Sequence, residues 1–243
     1  MVQDPPRRTG ISGPTLVRLL ARLTDARFSE PLLAAPAWLS QRLGWADAIA
    51  LSAALKGSPP SVPAGAPAPG EAGEREYARV RAALESAIAG DDLAPAARQR
   101  NRMRPKAPRA PNAPPPLVEY DSYRRRYVGL QQSMESSIGA LRGGLRAMLV
   151  SRSPEGARLA AVDAAMEQAL AEQELSLLMR VPGLLEGHFE RLRKAGEADE
   201  PAALQGPAAW LPVFRQDMQR VLLAELDFRL QPVQGLLAAL RGG

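Results

Sequence analysis

"YDSYRRRYVGLQQSMESSIGALRGGLRAML", residues 120–149, sets three tyrosines among three consecutive arginines. Rings interleaved with cations suit a single-stranded nucleic-acid site, where flat faces stack on bases and guanidinium groups hold phosphates. The helical reading of the same residues says something different. At about 100° per residue, Tyr120, Tyr123, Tyr127, Leu130, Met134, Ile138, Leu141, Leu145 and Met148 fall within an arc of about 80°. One apolar stripe therefore runs the length of the segment, as in a helix with one face in a core. Arg124 and Arg126 lie just outside the two edges of that stripe, and Arg125 lies on the far side. Two arginine stems can border the seam while all three charges stay in water. The tyrosines are predicted to open a buried seam, which hides them from nucleic-acid bases.

The rest of the chain supports a helical protein. It has 243 residues, of which 46% are hydrophobic but only 5% aromatic. Much of the apolar content is alanine and leucine. Valine and isoleucine are sparse, and no five-residue stretch alternates apolar and polar positions with β-branched side chains. The expected fold class is all-α: a helical bundle of long amphipathic helices with a small N-terminal helical unit and Pro/Ala-rich linkers.

Residues 1–57 read as a three-helix unit. Ser12 and Pro14 mark the first helix start, and Leu16, Leu19, Leu20 and Leu23 follow the spacing of one buried face. Arg18, Arg22 and Arg27 would also let this helix lie on an anionic membrane, but its short length favours packing against protein. Residues 58–73, "SPPSVPAGAPAPGEAG", have linker composition. Residues 74–90 form a single amphipathic helix with Tyr77, Val80, Leu84 and Ile88 on one stripe. Residues 91–116 are a basic, proline-rich linker. The C-terminal bundle occupies 117–243. Within it Ser153, Pro154 and Glu155 start a helix whose expected buried face is Leu159, Val162, Met166, Leu170 and Leu177. Pro182 interrupts the chain. A last helix carries Trp210, Phe214, Met218, Val221, Leu222 and Phe228, and Pro232 is expected to kink or split it.

Several kinds of chemistry are excluded by inventory. Cysteine is absent, so thiolate nucleophiles, disulfides and cysteine metal sites are ruled out. The single histidine, His188, falls inside an apolar stripe between Leu184 and Leu192 and reads as a packed structural side chain. Glu172/Glu174 and Glu225/Asp227 sit two apart and face different ways, while Glu225–Arg229 and Glu190–Lys194 read as ordinary i, i+4 ion pairs. "LRGGLR" at 141–146 lacks the strand and the Lys-Ser/Thr sequel of a phosphate loop. Gly143 and Gly144 weaken a helix by about 1 kcal/mol each, and mark either a close helix approach or a kink. No catalytic, cofactor-binding or metal-binding residue is assigned, no cofactor is expected, and an enzyme is the least favoured reading.

The net charge of +5 is concentrated. Between residues 98 and 126, nine basic residues face only Glu119 and Asp121, a local +7 that leaves −2 on the rest of the chain. Arg98, Arg100, Arg102, Arg104, Lys106, Arg109 and Arg125 are the candidate anion or partner contacts. They offer charge without sequence specificity, to nucleic acid, anionic lipid or an acidic protein.

"MVQDPPRRTG" at the start has no apolar core of a secretory signal, and no run of about eighteen apolar residues is present. A soluble, cytoplasmic protein is expected. "GPTLVRLLARLTD", "LGWADAIALSAALKG", "YRRRYVGLQQSMESSIGALR" and "LLAELDFRLQPVQGLLAALR" resemble a proteobacterial family known only as a domain of unknown function. That resemblance implies a cytoplasmic accessory of an envelope-spanning membrane complex. The expected function is a non-enzymatic interaction or scaffold protein, with a protein partner, a membrane-complex component among the candidates, and homo-oligomerisation open. The alternative is a nucleic-acid-associated protein that binds weakly and non-specifically through 98–126.

Overall fold

The computed structural model describes residues 15–24, 44–56, 69–90, 119–198 and 207–242. Seven helices lie among them: α1 (Thr15–Thr24), α2 (Trp45–Lys56), α3 (Pro69–Ala89), α4 (Tyr120–Arg152), α5 (Pro154–Leu178), α6 (Val181–Ala198) and α7 (Pro207–Gly242). No strand occurs among the described residues. The all-α bundle expected from the apolar spacing is the observed architecture.

The tyrosine seam forms as the wheel requires. Tyr120, Tyr123, Tyr127, Leu130, Met134, Ile138, Leu141 and Leu145 are all buried along α4. At its end the stripe drifts by one position. Leu149 takes the buried place and Met148 is only half-buried, because 3.6 residues per turn does not divide evenly into the repeat. Arg124 and Arg125 are exposed, and Arg126 is half-buried at the seam's border.

Ser153 turns the chain from α4 into α5. Its backbone is extended, its hydroxyl accepts from the Gly156 N–H at 3.0 Å, and Pro154 occupies the first turn where a missing N–H costs nothing. Gly156 is required here because a Cβ at this position would strike the Leu149 carbonyl.

The buried side of α5 differs from the expected one. Gly156, Ala157, Ala160 and Leu178 are buried, while Val162, Met166 and Leu170 are half-buried and Leu159 and Leu177 exposed. The small residues allow α5 to approach α4 closely. The larger apolar stripe lies about a quarter-turn round the helix from that contact, and α2 packs against α5. A stripe from 159 to 177 is about 27 Å long, whereas the twelve residues of α2 cover about 18 Å. The two end leucines are therefore left uncovered.

Helix α7 is the central element. It packs against α1, α3, α4, α5 and α6, and Phe214, Met218, Val221, Leu222, Leu226, Leu230 and Val233 are buried within it. Phe228 is half-buried. Pro232 does not split the helix, which continues to Gly242. The proline sits on an exposed face, so the carbonyl it leaves without a partner can be hydrated. Burial of Val233, Leu236, Leu237 and Leu240 beyond it offsets a cost of about 3 kcal/mol. At the other end, Phe189 packs edge-on to Trp210 at 4.9 Å and to Phe214 at 5.0 Å, and Tyr123 meets Phe214 at 5.3 Å.

Helix α1 inserts Leu16 and Leu20 into the same core, against α6 and α7, whereas α2 sits on α5. The expected middle helix of the 1–57 unit lies outside the described residues, as does 91–116. Helix α3 starts at Pro69, so its first turn and more occupy the end of the stretch read as the 58–73 linker. Val80, Leu84 and Ile88 of its predicted stripe are buried, with Tyr77 packed at the edge.

Four helix C-termini are closed by side chains from other helices. Arg126 of α4 donates to the Ala87 carbonyl of α3 at 2.7 Å, and Gln131 of α4 donates to the Leu178 carbonyl of α5 at 3.1 Å. Arg152 of α4 donates to the Leu240 carbonyl of α7, and Arg191 of α6 to the Leu23 carbonyl of α1. Each acceptor is one of the last four carbonyls of its helix, which have no partner within it.

Candidate functional site

Of the basic residues singled out above, Arg98, Arg100, Arg102, Arg104, Lys106 and Arg109 lie outside the described residues. Arg125 is exposed on α4, beside Arg124. Arg126, their neighbour, points the other way and is committed to the end of α3.

His188 is buried between α6 and α7. Its Nε2 lies 3.0 Å from an Asp217 carboxylate oxygen, and its ring lies 6.2 Å from that of Phe214. Asp217 also accepts from Arg220 at 3.3 Å. The histidine thus ties α6 to α7 and is packed as its wheel position predicts. Among the described residues there is no group of three or more His, Cys, Asp or Glu side chains that could hold a metal ion.

The strongest internal polar feature is larger than the i, i+4 pair that spacing predicts. Glu225 does pair with Arg229, at 2.9 Å, but its carboxylate is 0% exposed. It also accepts from the Tyr127 hydroxyl at 2.6 Å and from Gln131 Nε2 at 3.0 Å. Arg229 in turn lies 3.7 Å from Glu174 on α5. Burial first, and the Glu225 charge second, push the Tyr127 hydroxyl well above the ordinary tyrosine range. The cluster joins α4, α5 and α7, and its donors saturate the carboxylate. It specifies how three helices align, as buried polar networks can. A signal was present: 214, 218, 221 and 225 follow one stripe, so position 225 had to face inward.

A second polar lattice fastens α5 to α4. Arg142 meets Asp163 at 2.7 Å and Arg146 meets Glu167 at 2.6 Å, with cross-contacts between the two pairs. Glu190 pairs with Arg193 at 2.6 Å, one turn position short of the predicted Lys194. Spacings of three and four both bring side chains together on a helix, and the arginine fork reaches the carboxylate.

The outer surface is more informative about partners. Helix α2 has no buried residue and carries apolar side chains on every side. Leu51 and Ala54 are half-buried, while Ile49 and Leu55 are exposed and Trp45 is 83% exposed. A helix that is apolar all round is ordinarily enclosed. Leu159 and Leu177, at the ends of the stripe on α5, extend this surface. Elsewhere, a groove of about 400 Å³ between α3 and α4 is lined by Glu76, Arg79, Ser136, Ser137, Gly144 and Met148. Among the described residues no atom lies within 4 Å of where a Cβ at Gly143 or Gly144 would stand, so no close approach there requires them. Among the described residues, no helix is long and apolar enough to cross a membrane.

A family model described as a protein of unknown function, DUF3348, matches residues 1–242. The chain belongs to that family. No curated protein and no solved structure matches it. Membership in DUF3348 agrees with the resemblance seen in the terminal helices, and the match spans the intervening segments as well.

Proposed function

We propose that this protein is a non-enzymatic helical interaction protein, a cytoplasmic accessory that joins other proteins into an assembly. The observation that carries the reading is α2: an apolar helix lies on the outside of the bundle, with Trp45 turned away from it. Exposed apolar surface of this kind marks interaction sites on folded proteins. The polar groups inside the bundle, at Glu225 and His188, are engaged in joining helices. Attachment to an envelope-spanning complex draws on the resemblance of the terminal segments and extends the same reading.

The test is affinity capture from native cells with the full chain and with Trp45→Ser. Partners retained by the wild type and lost by the variant, at unchanged melting temperature, are expected. Identical captured sets would remove this face from the function.

A second reading rests on the local charge of +7. It predicts weak, sequence-blind nucleic-acid binding at low salt that vanishes near physiological ionic strength, since counterion release makes such contacts steeply salt-dependent. Binding that persists at about 200 mM salt would make nucleic-acid association the leading function.

A further inference from the structure

We infer that α2 is a releasable cover: it leaves α5 as a unit while the rest of the bundle stays folded, and so uncovers an apolar strip on α5.

Alone among the seven described helices, α2 has no buried residue. Its half-buried residues are Asp47, Leu51, Ser52 and Ala54. At about 100° per residue, Asp47, Leu51 and Ala54 fall within an arc of about 60° and mark the side toward α5. Leu51 is the one large apolar side chain in that arc. Trp45 and Ile49 lie on the opposite side, 83% and 53% exposed. The helix therefore holds α5 with its less apolar side. Among the described residues, α2 makes no hydrogen bond or ion pair to another helix. Asp47 accepts from the Gly44 N–H just before its own first turn, at 3.0 Å.

Helix α1 is two residues shorter and is fixed quite differently. Leu16, Leu20 and Ala21 are buried, and Arg191 closes its last turn. Helix α5 is fastened to α4 through Arg142–Asp163 and Arg146–Glu167. The departure of α2 breaks neither fastening. Residues 57–68 connect α2 to α3, a length of chain that reaches up to about 40 Å, so α2 can leave without moving α3.

A helix of twelve residues is marginal on its own in water. Release from α5 and loss of helix are thus linked, and the opening belongs to the low-stability end of local unfolding. Release bares Val162, Met166 and Leu170, which are half-buried while α2 is in place. The contact is autoinhibitory, because the strip on α5 is closed to other proteins as long as α2 lies on it. This attachment is a property of the chain alone, separate from whether a partner uses Trp45.

Native-state hydrogen exchange of the full chain is the test. Amides in α2 are expected to exchange roughly a hundredfold faster than those of α7, at a rate that low urea leaves nearly unchanged. Leu51→Ala should speed α2 roughly fivefold further and leave α7 as it was. Ala50→Pro breaks α2 at an exposed interior position. It should leave the melting temperature of the bundle unchanged and raise the fluorescence of an apolar dye roughly twofold. Adding Met166→Ser should remove most of that rise. Exchange of α2 in step with α7 overturns the release, because α2 would then open only with the whole bundle. Exchange of α2 that Leu51→Ala fails to speed overturns it too. A lower melting temperature in Ala50→Pro, or unchanged dye fluorescence, overturns it equally. None of these readouts uses a captured partner, so their failure is distinct from failure of the Trp45→Ser test.

Discussion

Tyr127 and Glu225, 98 residues apart in sequence, meet through a 2.6 Å hydrogen bond in the middle of the bundle. The hydroxyl donates and the fully buried carboxylate accepts. Removing the donor alone should cost about 1.5–3 kcal/mol, because Glu225 would keep Gln131 and Arg229 but lose one charge-assisted bond. Tyr127→Phe tests this by urea denaturation. Tyr127→Ala should cost about 3–5 kcal/mol through the cavity it opens. A Tyr127→Ala protein that unfolds like the wild type would place the ring outside the core.

The same pair sets an alkaline limit. The Tyr127 hydroxyl titrates above its ordinary value of 10.0 in the folded state, so the folded form holds its proton more tightly than the unfolded chain. The resulting stability is complete below about pH 10 and is lost as pH rises from there through the folded value. Tyr120 is also raised, chiefly by burial, and acts in the same direction. Tyr127→Phe should flatten the loss above pH 10 by up to about 1.4 kcal/mol per pH unit. Equal slopes in wild type and variant would show that the proton is not held.

Two glycine substitutions should have opposite signs. Gly156→Ala drives a Cβ into the Leu149 backbone and must open the α4–α5 corner, so a loss of about 1–3 kcal/mol is expected. Gly143→Ala meets no atom within 4 Å and should stabilise α4 by about 0.5–1 kcal/mol. Thermal melts of the two proteins check both signs. Destabilisation by Gly143→Ala would indicate that something beyond the described residues packs on that face.

Neighbouring arginines should separate cleanly. Arg125 is exposed, and its replacement by alanine should change stability by less than about 0.5 kcal/mol. Arg126→Ala removes the bond to the Ala87 carbonyl and should cost about 1 kcal/mol. Chemical denaturation of both variants distinguishes them. Equal costs would mean that the end of α3 does not depend on the guanidinium.

His188→Gln should leave function intact and cost about 1 kcal/mol, since an amide can still reach Asp217. Loss of partner capture at unchanged melting temperature would give His188 a ligand-binding role instead.

Short-range periodicity made the helices legible. The α4 seam, the Ser153–Pro154 start and the inward histidine all follow from residues within two turns of one another. The buried face of α5 departs from the periodic expectation for a related reason. A stripe with large apolar residues looks like the core side, but the small residues Ala157 and Ala160 permit closer packing on α4. The stripe itself was left to α2, more than a hundred residues earlier. The Glu225 cluster and the Arg142–Asp163 lattice depend on side chains from different helices, and i, i+4 rules cannot reveal such partners. Exposure of α2 was hidden because its composition is that of an enclosed helix.

The four C-terminal carbonyl contacts make the ends of α1, α3, α5 and α7 interdependent with their neighbours. Three of the four donors belong to α4. A helix closed by its own glycine can unravel a last turn while staying docked. Here, a turn that unravels at the end of α3, α5 or α7 also releases its hold on α4. Fraying of a last turn therefore costs an interhelix bond of about 1 kcal/mol besides the helix's own. Hydrogen exchange in those last turns should be slower than at helix ends that no neighbour closes, and Arg126→Ala should speed it at the end of α3.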